Sequence, residues 1–500
     1  MSKHINTLRS ADSVTFTIGL LFLATMMTMI AFLWLNLDVK ILAVVLVGVA
    51  LALYLISKPN VATFLVLFVI YTNIAVVLYQ FHGLPQMVAG SVSLLFGIPF
   101  AVMIFVKKQM VIIDYPFLLM FLFLGSLCLS TFFALDEGLS ISEIMNFVLE
   151  GLLLYFLIIN VLRDARTFRK VIWILLIGAA FLSSMSIYQE LTHHYHQQFG
   201  GLAQRNIDRW EGGGDKKPER VQVSERAAGP IGDPNRYAQL LLFILPLAFF
   251  RIWDEKKLKI FALLMFGLVF SGILLTYSRG AFLTLVLMIL IMVVLRYIRP
   301  IQLLFLGIVF FLIILAVSPD YFNRMDSLRG IKGLFSEQVD VQPDAVTRGR
   351  LTEMLAAFYV FLDYPVVGVG PGHFTPYYSL DYMTGPHALR QISSQRRAHT
   401  LYFEIMAETG IIGFLIFMSI LVFILIKLVQ LRLYWIPRNS EYANIITALF
   451  LGVISYMGTA IFLHFSYQRF YWLFLALAGA AIQIFKPIKT KNVSLKTDNH

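Results

Sequence analysis

The sequence predicts an all-α polytopic membrane protein of about 12–14 transmembrane helices, and three observations carry that prediction. Of its 500 residues 59% are hydrophobic and only 14% are charged, with a mean hydropathy of +0.77; a soluble domain of this length cannot hide so much apolar surface. The apolar residues fall in runs of roughly 20, the length that crosses a bilayer as helix. No alternating barrel pattern occurs, and a backbone in lipid must satisfy its own hydrogen bonds, so helices follow.

Fourteen candidate spans can be placed, at about 14–35, 41–57, 61–80, 87–106, 115–134, 141–161, 171–188, 237–253, 260–276, 280–297, 301–317, 410–429, 444–463 and 470–485. The first is too long for a signal-peptide core and lacks a small-residue cleavage site, so it reads as a retained span. Pro99 and Pro246 mark sites of kinking. The single cysteine, Cys128, excludes an intrachain disulfide and a cysteine metal cluster.

Lysine and arginine set the orientation. With a cytoplasmic N-terminus, 22 of the 40 basic residues fall in inside segments, while the short outside connections keep only Lys40, Arg279 and Arg469, the asymmetry of the positive-inside rule. The remaining fifteen lie in two long outside loops, 189–236 and 318–409. The chain thus divides into N-terminal helices (1–188), a first outside loop, central helices (237–317), a larger outside loop, and C-terminal helices with a cytoplasmic tail (410–500).

Loops longer than about 15 residues between helices usually carry function. The first contains "HHYHQQ", a hydrophilic "RWEGGGDKKPER" and then "RAAGPIGDPNRYA". In the second, "TRGRLTEMLAAFYVFLDYP" puts Leu351, Leu355, Phe358 and Leu362 on one helical face, as in an amphipathic helix lying in the interface with Arg348 and Arg350 at its start. "GVGPG" lacks the lysine and serine of a P-loop and reads as a turn. "HHYH" has no carboxylate or cysteine partner set, so no metal is expected. Within the membrane, Glu150 reads as hydrogen-bonded to another helix.

Four blocks, "ERAAGPIGDPNRYA", "LLTYSRGAFLTL", "DYPVVGVGPGHF" and "RAHTLYFEIMAETGIIGFLIF", resemble in this order the signature blocks of the O-antigen ligase and polymerase superfamily of polytopic membrane glycosyltransferases. The resemblance covers about residues 220–430, with Thr400 standing where an asparagine commonly follows the histidine. It implies a bacterial inner-membrane enzyme of lipopolysaccharide biosynthesis with both termini cytoplasmic. Such an enzyme takes a glycan from an undecaprenyl-type (polyprenyl) diphosphate carrier and transfers it, on the outer, periplasmic side, to an acceptor hydroxyl on a lipid core, a growing glycan or a protein. It implies no cofactor, and its partners are the lipid-linked donor, the acceptor and membrane lipids, with no nucleic acid.

The resemblance places the family's functional histidine on His399. A neutral imidazole suits proton acceptance near pH 7; the plainer reading is an interfacial histidine bonded to a loop carbonyl. A diphosphate leaving group calls for guanidinium forks, and Arg279 and Arg226 are placed with His399 in the catalytic set. Arg396, Arg397, Arg348, Arg350 and Asn235 are assigned to substrate binding. Each has a plainer reading: snorkelling or ion pairing for Arg279, a loop salt bridge for Arg226, lipid head groups for Arg348 and Arg350, solvent for one of Arg396 and Arg397, and turn-building for Asp233 and Asn235. Arg469 and His464 either complete the site or anchor an aromatic belt. Glu404 and Glu408 suit the positive end of the following helix, and Glu408 is a candidate to orient a loop arginine. A surface-polysaccharide polymerase, a lipid-linked sugar flippase and a scaffolding subunit are the competing functions; the absence of a hydropathy repeat argues against the flippase.

Overall fold

The computed structural model describes residues 54, 57–85, 90–210, 222–299, 301–302, 345–464 and 468–487. The candidate spans at 14–35 and 301–317, nearly all of 41–57, and the start of the larger loop lie outside the described residues. Each of the other eleven candidate spans coincides with helix. In chain order these are α1 (Pro59–Thr72) and α2 (Ile74–His82), bent by 57° at Asn73, then α3 (Val92–Val106) and α4 (Tyr115–Thr131). There follow α5 (Glu137–Val161), α6 (Ala165–Thr192) and α7 (Pro234–Asp254), and α8 (Lys259–Leu275) and α9 (Arg279–Val294). The larger loop adds α10 (Ala345–Asp363) and α11 (Ser379–Thr384), ahead of α12 (Leu401–Trp435), α13 (Ser440–Ala460) and α14 (Gln468–Ile484). Five of these helices are long and apolar enough to cross a membrane alone, or six if the bent α1–α2 pair is one span.

Short polar residues start the helices as sequence rules require. Asp114, Asp136 and Asp164 cap α4, α5 and α6 through backbone N–H groups three residues on. At α7 Asp233 accepts from the N–H groups of Asn235 and Arg236, with Pro234 in the first helical position. Around the centre, α7, α13 and α14 are buried along most of their length. Phe243 of α7 stacks on Phe474 of α14 at 3.7 Å, and Trp472 packs edge-on against Phe147 and Phe417.

Three features depart from a uniform helical reading. The first loop forms an antiparallel strand pair, β1 (Gln204–Trp210) with β2 (Gln222–Gly229); the residues between the two strands lie outside the described residues. Along α10 the buried positions are Thr352, Glu353, Ala356, Ala357 and Val360, while Leu362 is half exposed. Leu351, Leu355 and Phe358 of the leucine stripe are only part-buried, and small residues on the buried face let α10 approach α12 closely. Finally, α12 is broken at Gly410, which adopts φ 62° and ψ −167°. There the N–H groups of Val369 and Gly370 donate to the carbonyls of Ala407 and Glu408. Non-helical backbone is sustained within a membrane protein only where protein satisfies it in this way.

Candidate functional site

One end of the bundle gathers polar residues from α10 and from four other segments. The four are the β2–α7 turn, the α8–α9 connection, the loop that runs into α12, and the residues after α13. Arg226 of β2 is buried; its Nε donates to Thr276 O at 2.8 Å, and its guanidinium donates to Asn235 Oδ1 at 3.0 Å. Ser278 Oγ donates to the same oxygen at 2.8 Å and caps α9. Arg226 and Asn235 thus fix the turn from which Arg279, the first residue of α9, projects. Gly280 packs against Phe462, a Cβ there lying 3.2 Å from its ring; that contact brings Arg279 beside the segment ending in His464.

His399 stands at the centre. It has φ 49°, a left-handed conformation that costs a side-chain-bearing residue about 1–3 kcal/mol and that six other non-glycine residues also adopt among the described residues. The imidazole Nδ1 lies 3.3 Å from Glu353 Oε2, and the ring centroid is 5.6 Å from that of His464. Arg236, buried at the start of α7, donates to the carbonyl of His464. Glu353 Oε1 accepts from Arg396 at 3.3 Å, and Arg397 pairs with the buried Glu404 at 3.5 Å.

Burial first, and then the Arg350 guanidinium, push the pKa of His399 down to about 4, with Arg236 adding to the fall, and a hydrogen bond to the Arg397 backbone and then Asp233 opposing it. The side chain nevertheless stays partly accessible, 31% of it exposed. The imidazole is neutral at pH 7. His464 is lowered still further, by burial and then by Arg236 and Arg397. Burial raises the carboxyl of Glu353, and Arg396, Arg350 and Arg390 work against that rise.

Among the residues singled out in the sequence, the structure brings Arg350, Arg396 and Arg397 around His399, and ties Arg226 and Asn235 to the Arg279 turn. Arg348 lies one turn before Thr352 on α10, its carbonyl accepting from the threonine hydroxyl. Glu404, rather than Glu408 alone, engages a loop arginine; Glu408 Oε1 accepts from the backbone of Phe374 at 3.3 Å. Glu150 meets Arg469 of α14 at 2.9 Å. His373 is fully buried, its Nε2 accepting from the Asp136 N–H at 2.9 Å and its Nδ1 lying 3.0 Å from Pro371 O, the bonding of a structural histidine. His193 Nδ1 of "HHYH" lies 3.1 Å from the Tyr195 hydroxyl. Arg236 and Glu353 belong to the cluster and lie inside quoted stretches, "ERAAGPIGDPNRYA" and "TRGRLTEMLAAFYVFLDYP", yet neither was singled out there. The one hint was that Glu353 follows Arg350 by three positions, hence on the same helical face.

Residues 260–418 match the family model for O-antigen ligase. The O-antigen ligase match runs from α8 to just beyond the break in α12, and so contains Arg279, Arg350, Glu353, Arg396, Arg397 and His399. It agrees with the superfamily to which the four sequence blocks point, and it supports a membrane glycosyltransferase-like function. No curated protein matches the chain.

Proposed function

We propose that this protein transfers a glycan from a polyprenyl-diphosphate carrier to an acceptor hydroxyl at the outer face of a bacterial cytoplasmic membrane, in the manner of an O-antigen ligase. The observation that carries the proposal is a neutral, partly accessible His399 set among arginines from three separate segments, at the end of a helical bundle. A sugar hydroxyl that attacks the anomeric carbon must lose its proton as the new C–O bond forms; neutral His399 accepts it. The bond between that carbon and the phosphate oxygen breaks with its electron pair leaving on the diphosphate. Arg279, Arg350, Arg396 and Arg397 offset the charge that develops there, a task for which guanidinium forks outperform lysine. The N-terminus of α9 adds positive potential beside Arg279. Arg226 and Asn235 hold that turn rigid, and Arg348, at the start of α10, meets carrier or lipid phosphate.

The reaction in this reading needs no metal, because guanidinium groups do the work a divalent cation would do. In membrane vesicles supplied with lipid-linked donor and acceptor, Arg279→Lys retains part of the transfer rate and Arg279→Ala loses nearly all of it, with chelator making no difference. Wild-type transfer by the alanine variant removes Arg279 from the site, and a chelator-abolished activity restored by one metal refutes the metal-free chemistry. Ligation and polymerisation share this donor chemistry. Cells lacking the protein that retain single repeat units on the lipid core indicate a polymerase, while a bare lipid core indicates the ligase.

A further inference from the structure

We infer that Glu353 is the positioning residue for His399: its buried carboxylate accepts a hydrogen bond from the Nδ1–H, leaving Nε2 as the atom that accepts the proton of the attacking hydroxyl. The inference rests on the proposed role of His399 as base and adds to it the tautomer and the group that sets it.

Two buried atoms face each other without any other partner. Glu353 Oε2 lies 3.3 Å from His399 Nδ1, and neither of these buried atoms completes a hydrogen bond among the described residues, their mutual approach included. An orphaned buried acceptor costs about 1–3 kcal/mol, so a proton on Nδ1, shared with the carboxylate, is the arrangement that satisfies both. A neutral imidazole has one donor nitrogen and one acceptor nitrogen. Placing the proton on Nδ1 therefore leaves the lone pair on Nε2. The same carboxylate then faces the imidazolium that forms when Nε2 is protonated and stabilises its charge.

Glu353 is itself firmly held. Its other oxygen accepts from Arg396 at 3.3 Å, its side chain is 2% exposed, and it lies on the face of α10 that packs Ala356, Ala357 and Val360 into the loop core with Val369, Phe374 and Ala398. A carboxylate fixed on a helix on one side and a histidine fixed by a left-handed backbone on the other hold the ring in one orientation. The other charged or titratable groups around the pair are Arg350, Arg390, Arg397, Asp233, Arg236 and His464.

The test is steady-state transfer by the full-length protein in reconstituted vesicles, with lipid-linked donor varied and pH scanned. Glu353→Gln keeps the shape and removes the charge; we expect kcat to fall about 10²-fold or more while the KM for donor stays within about threefold. The acid limb of kcat/KM moves to lower pH, because the imidazolium loses a neighbouring negative charge. Glu353→Asp retains the charge with a shorter reach and falls between the two. In a His399→Ala background Glu353→Gln costs nothing further. Wild-type kcat and an unshifted acid limb in Glu353→Gln overturn the inference. So does a wild-type kcat in Glu353→Asp, the deciding variant should the glutamine protein fail to accumulate in the membrane. The base reading fails separately, on wild-type transfer by His399→Ala with Glu353 intact.

Discussion

At the scale of single residues, His399 is governed by charges it does not touch in sequence. Its depressed pKa, about 4, comes from burial and from the Arg350 guanidinium, so the proton-accepting form prevails throughout the neutral range and fails only when the pH drops toward that value. Removing Arg350's charge lets the pKa rise toward that of ordinary histidine. Arg350→Gln is therefore expected to move the acid limb of kcat/KM to higher pH, whatever it does to the plateau. An acid limb that stays put or moves down counts against the electrostatic account of the site. What was legible at this scale was the histidine and its arginines, because charge beside an apolar run is conspicuous. Arg236 was not, because its partner, the carbonyl of His464, lies 228 residues away. Glu353 was not, because the sequence gives no sign that Arg396, 43 residues on, returns to meet it.

At the scale of elements, the break in α12 decides where the site sits. Hydropathy starts the candidate span at residue 410, but the helical pattern of "EIMAETGIIGFL" runs through Gly410 without interruption, so the boundary is legible and the backbone break is not. Only the φ 62°, ψ −167° of Gly410 reveals it. A Cβ there would meet Val366 O at 2.3 Å, in a backbone region essentially reserved for glycine. Gly410→Ala is expected to destabilise by at least about 2 kcal/mol, read as a thermal midpoint lowered by several degrees in detergent. Gly267→Ala in α8, where a Cβ meets nothing within 4 Å, is the control and should match wild type. Equal midpoints for the two variants would show that the break bears no strain. The strand pair was equally hidden, since two short polar strands around a glycine run look like any solvated loop, whereas the long apolar helices were plain from length alone. On α10 the leucine stripe marked one face of the helix, while the face packed into the protein, Thr352, Glu353, Ala356, Ala357 and Val360, went unremarked, because small residues mark a tightly packed helix surface more faintly than large ones do.

For the whole molecule, the two ends of the bundle differ in chemistry. Around the start of α13, Arg251 is buried against Asp254, Glu255 and Glu441, and Arg169 joins Glu441; the opposite end carries the His399 cluster. Lysine-rich connections accompany the first end, which the positive-inside rule assigns to the cytoplasm. With the exposed Cys128 first replaced by serine, a cysteine at the exposed Asp381 should react with an impermeant thiol reagent from outside intact cells, and one at Lys257 should not. Labelling in the reverse sense would put the site on the wrong side for a lipid-linked donor. The central claim, that His399 takes the acceptor's proton, is tested most directly by donor binding and glycan transfer in vesicles containing His399→Ala, measured from pH 6 to 8. The account predicts a folded, inserted protein that binds the lipid-linked donor as wild type does and transfers little glycan at any of these pH values. Transfer at the wild-type rate across that range would contradict it and leave the arginines alone to account for catalysis.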